Sequence, residues 1–259
     1  MLEKILNFIN SKFHFFKKSG TKQDYLDIFE KTINLHYPQI EKYQIESGFS
    51  ISKPWIDELA LHTQVVKKAS KINYQHGKVL YSTLRKYLSS NFFEEINIFE
   101  SGTARGFSSI CMSKALIDSN QKGTIHTTDI IPHLKKMYWN IIDDHTRGKL
   151  TRLQLLEKWN KELKNIKFYT MKSSKFFKKN NIKRINFAFL DAVHDSLNIS
   201  EEFEYIKNRQ IKGDVIIFDD FDDQYQSLKN FIIDTVPNLY EYQILESDIN
   251  RHYFIAKKK

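Results

Sequence analysis

From Ile96 onward the sequence alternates short apolar runs with helical stretches, and this alternation leaves few architectures open. Apolar runs predict strands at Ile96 to Glu100, Thr124 to Asp129, Ile166 to Thr170, Ile185 to Asp191 and Val215 to Asp219. Residues 107 to 116, 173 to 180, 198 to 209 and 224 to 235 carry apolar side chains at helical spacing. Tyr240 to Leu245 and Arg251 to Ala256 read as a closing antiparallel pair. Such alternation calls for an α/β fold: a mainly parallel sheet, here of seven strands, with helices on both faces.

The first third has a different texture. Residues 1–92 read as a helical extension and 93–259 as the α/β domain, with a polar, helical insertion over about 133–164. Leu2, Ile5, Leu6, Ile9, Phe13 and Phe16 form an amphipathic stripe, read as a helix docked on its own domain or a second subunit in preference to a membrane surface. A homodimer is therefore open. No apolar run is long enough to span a bilayer. The single cysteine, Cys111, excludes an intramolecular disulfide and a cysteine metal cluster. Both features fit a soluble, cytoplasmic protein. The net charge of +9 permits attraction to nucleic acid, anionic lipid or a phosphorylated ligand without choosing among them.

The most informative segment is Ile98-Phe99-Glu100-Ser101-Gly102-Thr103-Ala104-Arg105-Gly106-Phe107-Ser108-Ser109. A strand ends in an acid, turns through two glycines and enters a helix. Glycine lets the backbone turn tightly and approach a ligand, and a helix N-terminus presents free N–H groups. Ligands of open α/β sheets bind at the carboxyl ends of the strands. Asp129 ends the second strand at the spacing of a ribose-binding acid. The turn lacks the middle glycine of a dinucleotide-binding pattern. Glu100 before it suits a nucleoside with a cationic amino-acid end better than a pyrophosphate.

Two further strands also end in acids, Asp191 in one case and Asp219-Asp220 in the other. Parallel neighbours would bring these carboxylates to one rim, where a hard divalent ion such as Mg²⁺ would relieve their repulsion. That ion could lower the pKa of an acceptor hydroxyl. His194, three residues past Asp191, has the intrinsic pKa to take the hydroxyl proton near neutrality. The competing reading has Asp220, Asp222 and Asp223 capping the following helix.

Together these residues resemble the class I S-adenosylmethionine-dependent methyltransferases, which have a Rossmann-like fold. Within them the pattern is similar to the branch containing the metal-dependent sugar O-methyltransferases of macrolide biosynthesis. The resemblance covers roughly residues 76 to 256. It implies that Gly102, Thr103, Gly106 and Ser108 surround the methionine part of S-adenosylmethionine, that Glu100 supports its amino group and that Asp129 holds its ribose. It implies Asp191, Asp219 and Asp220 as Mg²⁺ ligands, with His194 and Asp191 at the chemistry. Tyr74, His76 and Lys78 fall where such proteins close a lid. Two departures stand out: Met171-Lys172-Ser173-Ser174 replaces the usual adenine-side sequence, and Val193 replaces an acid. The expected acceptor is a hydroxyl of a small molecule or sugar, and the insertion is equally a candidate wall of its pocket or a structural helical flap.

Two other readings compete. Lys167, Lys172, Lys175, Lys178, Lys179, Lys183 and Arg184 form a basic run that could serve a nucleic-acid methyltransferase. No nucleic-acid module accompanies it, so no nucleic-acid partner is expected. A fold that has lost catalysis and acts as a scaffold is the third reading.

Overall fold

A computed structural model describes residues 17–191, 196–248 and 251–259. The amphipathic stripe through Phe16 and the candidate base His194 lie outside these residues.

Four helices come first: α1 (Lys22–Ile33), α2 (Pro38–Ser47), α3 (Lys53–Thr63) and α4 (His76–Ser89). Thr21 opens α1 with a capping box: its hydroxyl accepts from Asp24 N, and the Asp24 carboxylate accepts from Thr21 N. Gly48 closes α2 in the left-handed conformation at φ 79°. The alternating part then runs β1 (Ile96–Ser101), α5 (Phe107–Asp118), β2 (Gly123–Asp129), β3 (Ile166–Thr170), α6 (Ser173–Lys179), β4 (Phe187–Leu190), α7 (Ser196–Lys207), β5 (Val215–Phe218), α8 (Gln226–Thr235), β6 (Tyr240–Asp248) and β7 (Arg251–Lys258).

The seven strands form one sheet in the order β3-β2-β1-β4-β5-β7-β6. The first five are mutually parallel, and β7 is antiparallel to both of its neighbours. Strand order reverses between β1 and β4, so a crevice opens at the carboxyl ends of β1, β2 and β4. Both faces of the sheet are covered. On one, Leu80 and Leu84 of α4, Ile110 and Leu116 of α5, and the α2 and α3 residues Ile40, Ile56 and Leu59 join Ile98, Ile125 and Phe189 in one core. On the other, Phe176, Phe203, Leu228 and Ile232 pack on Phe99, Ala188 and Ile216. Helices α2, α3 and α4 thus share a core with the sheet, whereas Tyr25 of α1 packs with Val65 and Ile142 in a separate cluster. No helix among the described residues is long and apolar enough to cross a membrane.

Residues 133–164 correct the sequence reading. They are helical only in short turns at Asp143–Thr146, Arg152–Leu155 and Asn160–Leu163, with a 3₁₀ turn at Glu157–Trp159. Nor is their role polar, for Met137, Trp139, Ile141, Leu150, Leu155, Leu156 and Trp159 are all buried in the core of the α4–α5 face. The reason is local. Asn140 and Gly148 take positive φ, which ends any continuous helix. A bridge between Met137 and Leu150 closes the loop between them. Asp144 accepts the N–H groups of Trp139 and Asn140, so a buried carboxylate satisfies backbone that helix would otherwise have paired.

Candidate functional site

The turn after β1 is shaped by three residues with positive φ: Gly102 at 95°, Ala104 at 45° and Gly106 at 90°. Gly102 N donates to Thr128 O at 3.0 Å and Gly106 N to Thr103 O at 2.7 Å, folding the turn back across the end of β2. The Thr103 hydroxyl pairs with that of Thr127 at 2.5 Å, so its side chain faces the sheet.

Glu100 and Ser108 do not line the crevice, contrary to expectation. Glu100 is fully buried, and its two carboxylate oxygens accept from the hydroxyls of Ser108 and Ser109 in the first turn of α5. Burial pushes its pKa up, and the serine hydroxyls partly oppose the rise. The acid therefore ties β1 to α5 beneath the turn, and Ser108 is spent on the same tie.

Asp129 sits at the end of β2, its carboxylate Oδ2 accepting from Ala104 N at 2.6 Å and Oδ1 from Ile131 N at 2.9 Å. A carboxylate offers about four lone-pair sites. The N–H groups of Ala104, Ile131 and Ile130 act on it, which leaves part of that capacity for ligand hydroxyls. Burial raises its pKa, while the nearby Arg152 charge and the backbone N–H groups pull it down. Gly102, Ala104, Asp129, Ile130 and Asp191 all keep some exposure, and they mark the accessible part of the crevice.

At the ends of β4 and β5 the three acids come together. Asp191 N donates to Ser101 O and Asp219 N to Leu190 O, continuing the ladders by one residue each. Burial and then the charges of Asp219 and Asp220 hold the Asp191 carboxyl well above its ordinary range. Asp220, in the left-handed region at φ 52°, is pushed up to about 7 by burial and by Asp219. Asp219 is held low despite burial, because Arg251 Nη2 donates to its Oδ2 at 2.5 Å while Asp220 N donates to its Oδ1 at 2.9 Å.

The expected Mg²⁺ site does not match this arrangement. Two cations among the described residues act on the acids: the guanidinium of Arg251, which is bonded to Asp219, and Lys68, whose charge acts on Asp191 and Asp220. Among the described residues, no three carboxylate, imidazole or thiol groups are placed to hold a metal ion. Asp222, by contrast, accepts from Gln224 N at 2.8 Å and starts the turn before α8, as the capping alternative holds for that residue.

Beside this rim lie His76, which the sequence reading placed in a lid, and two groups it did not single out, Gln75 and Arg251. Burial pushes His76, at the start of α4, down to about 3. Its ring meets Phe107 edge-on at 4.8 Å. His76 Nδ1, Gln75 Oε1 and Arg251 Nε are buried without a hydrogen-bond partner among the described residues. Arg251 begins β7, the strand antiparallel to β5; the Phe218–Phe254 pairing sets Tyr253 opposite Asp219, and Arg251, two residues earlier, points to the same face as Tyr253. The signal available in the sequence was the argument that clustered acids need a cation.

Residues 99–221 match the family model described as a methyltransferase domain. No curated protein matches the chain in sequence. Cofactor-bound Rv0187 from MTB is similar in structure, with 14% identity, 93% of this chain and 99% of that chain covered, and a TM-score of 0.53. The O-methyltransferase NovP is similar at 12% identity, covering 74% of this chain and 84% of its own, with a TM-score of 0.52. An O-methyltransferase from Bacillus cereus in complex with SAH aligns at 14% identity over 92% and 100% of the two chains, with a TM-score of 0.48. At such identities the shared property is the fold.

Proposed function

We propose that this chain, which has the class I methyltransferase fold and a methyltransferase domain over residues 99–221, binds S-adenosylmethionine and methylates a hydroxyl of a small molecule or sugar. One observation carries the reading. At the switch point of the sheet, the Asp129 carboxylate is bonded to the backbone of the glycine turn and retains acceptor capacity towards the crevice.

Asp129 would take the ribose hydroxyls, and the backbone of Gly102, Thr103, Ala104 and Gly106 would follow the methionine part. The cofactor supplies an electrophilic methyl group on a sulfonium. The acceptor oxygen takes that methyl and loses its proton, and the sulfonium becomes a neutral thioether. Asp220, pushed up to about 7 by burial and by Asp219, is a described group that can be ionised and receive the proton near neutrality. His194 is the other candidate, on its position in sequence alone. Magnesium plays no part in this reading, given that Asp219 is committed to Arg251.

The test is calorimetric titration of S-adenosylmethionine and S-adenosylhomocysteine into wild type and Asp129→Asn, with Mg²⁺ and with EDTA. Wild type should bind both, Asp129→Asn roughly tenfold or more weakly, and the affinity should not depend on Mg²⁺. Absence of binding by wild type would overturn the reading.

A further inference from the structure

Arg152 lies within the 133–164 stretch, far in sequence from the glycine turn, yet its side chain is 1% exposed and directed at the turn's anchor. Its Nε donates to Ala104 O at 2.9 Å, and its Nη2 donates to Ile131 O at 3.3 Å. Nη2 also lies 3.7 Å from Asp129 Oδ2. The guanidinium sits between the rings of Trp139 and Phe168, at 5.6 and 5.7 Å from their centroids. A capping box fixes the backbone here: Thr151 Oγ1 accepts from Gln154 N, and the Gln154 side chain accepts from Thr151 N. Arg152 N donates to His133 O at 3.1 Å.

We propose that Arg152 is a positioning residue of the cofactor site, which fixes the glycine turn and the Asp129 carboxylate in one geometry and supplies that carboxylate with its countercharge. This rests on the reading of Asp129 as the ribose-holding acid. A purely structural role does not require an arginine. A methionine of similar length would fill the same volume between Trp139 and Phe168 without the desolvation cost of a buried charge. What the guanidinium adds is a rigid fork, which reaches the carbonyls of Ala104 and Ile131, two residues whose N–H groups hold Asp129.

The charge has a measurable consequence. Other titratable groups close by are Glu100 from β1, whose burial-driven rise Arg152 partly opposes, and His133 from the same stretch, whose pKa burial and then Arg152 lower. Without the guanidinium, the Asp129 carboxyl rises further. A carboxyl that must be ionised to accept two hydroxyls then loses affinity as pH falls through a higher midpoint than in wild type. Protonation of His133 in the same range would add positive charge and oppose that loss, so it cannot mimic it.

The experiment is titration of S-adenosylhomocysteine into full-length wild type, Arg152→Met and Arg152→Lys between about pH 5 and 8. Arg152→Met should bind roughly tenfold or more weakly at neutral pH and lose affinity at a higher pH than wild type as the solution is acidified. Arg152→Lys keeps the charge but not the fork. It should restore the wild-type pH midpoint while remaining weaker in affinity, and it carries the test if Arg152→Met does not fold. A folded Arg152→Met with wild-type affinity and pH profile would overturn the proposal, as would Arg152→Lys equal to wild type in affinity. Failure of wild type to bind at any pH would instead remove the cofactor reading on which the proposal rests.

Discussion

At Gly106 two independent demands meet. Its φ of 90° disfavours any side chain, and a Cβ there would come within 2.6 Å of Leu156 Cδ1. Gly148 shares the first demand at φ 75° but has nothing within 4 Å. Gly148→Ala should therefore cost only the left-handed penalty, about 1–2 kcal/mol. Gly106→Ala should cost about 2–5 kcal/mol, because overpacking adds to it. Denaturant unfolding of the two variants measures the difference. The sequence showed that Gly106 ends a turn, but not that Leu156 stands over it. The bonding of Glu100 was hidden for a related reason. Its partners, Ser108 and Ser109, come from the helix that follows the turn, and only the folded turn shows that they reach the acid before a ligand can. Arg152 and Arg251 carry no motif at all. Each acquires meaning from the carboxylate it meets in space.

Among the elements, the strands were the most legible, since each apolar run of the α/β part became a strand and the acids at their ends came to one edge. Helix α5 was equally plain, because a glycine turn precedes it and apolar residues recur along it. The 133–164 stretch was not, because its apolar residues follow neither a helical nor a strand period. Trp139 is fully buried, with its indole N–H donating to Leu150 O at 2.8 Å, and its carbonyl accepts from Arg105 Nε at 2.7 Å. Trp139→Ala should cost about 3–5 kcal/mol. A surface flap would lose far less on the same substitution, so thermal or denaturant unfolding of this one variant distinguishes core from flap.

Across the whole molecule, buried histidines and buried acids act on stability in opposite directions as pH changes. His126 of β2, whose Nδ1 lies 3.1 Å from the Tyr169 hydroxyl, is pushed down to about 4 by burial, then by Lys167. The unfolded chain takes up a proton on it below about pH 6.5 that the folded one refuses. Stability from this group is complete above that pH and is lost as pH falls towards 4. Asp220, raised to about 7, does the reverse: the folded state keeps a proton that the unfolded state has released, so stability declines as pH rises to 7. The wild-type profile should be flatter than either group alone would make it. His126→Gln should gain on wild type as pH falls from 6.5 to 4, by at most about 1.4 kcal/mol per pH unit, read from melting curves across that range. A gap that does not change with pH would show that His126 is not held neutral by the fold.

The position of β7 has a consequence for the order of assembly. This strand follows β6 in the chain but is inserted between β6 and β5. Until it is made, the apolar row Val215-Ile216-Ile217-Phe218 has no partner on that side, and β6 has nothing to pair with. A ribosome therefore emits the first five strands with one edge unfinished, and the sheet closes in a late step that joins residues as distant as Phe218 and Phe254. During that interval the open edge of β5 is the surface most exposed to pairing with another nascent chain.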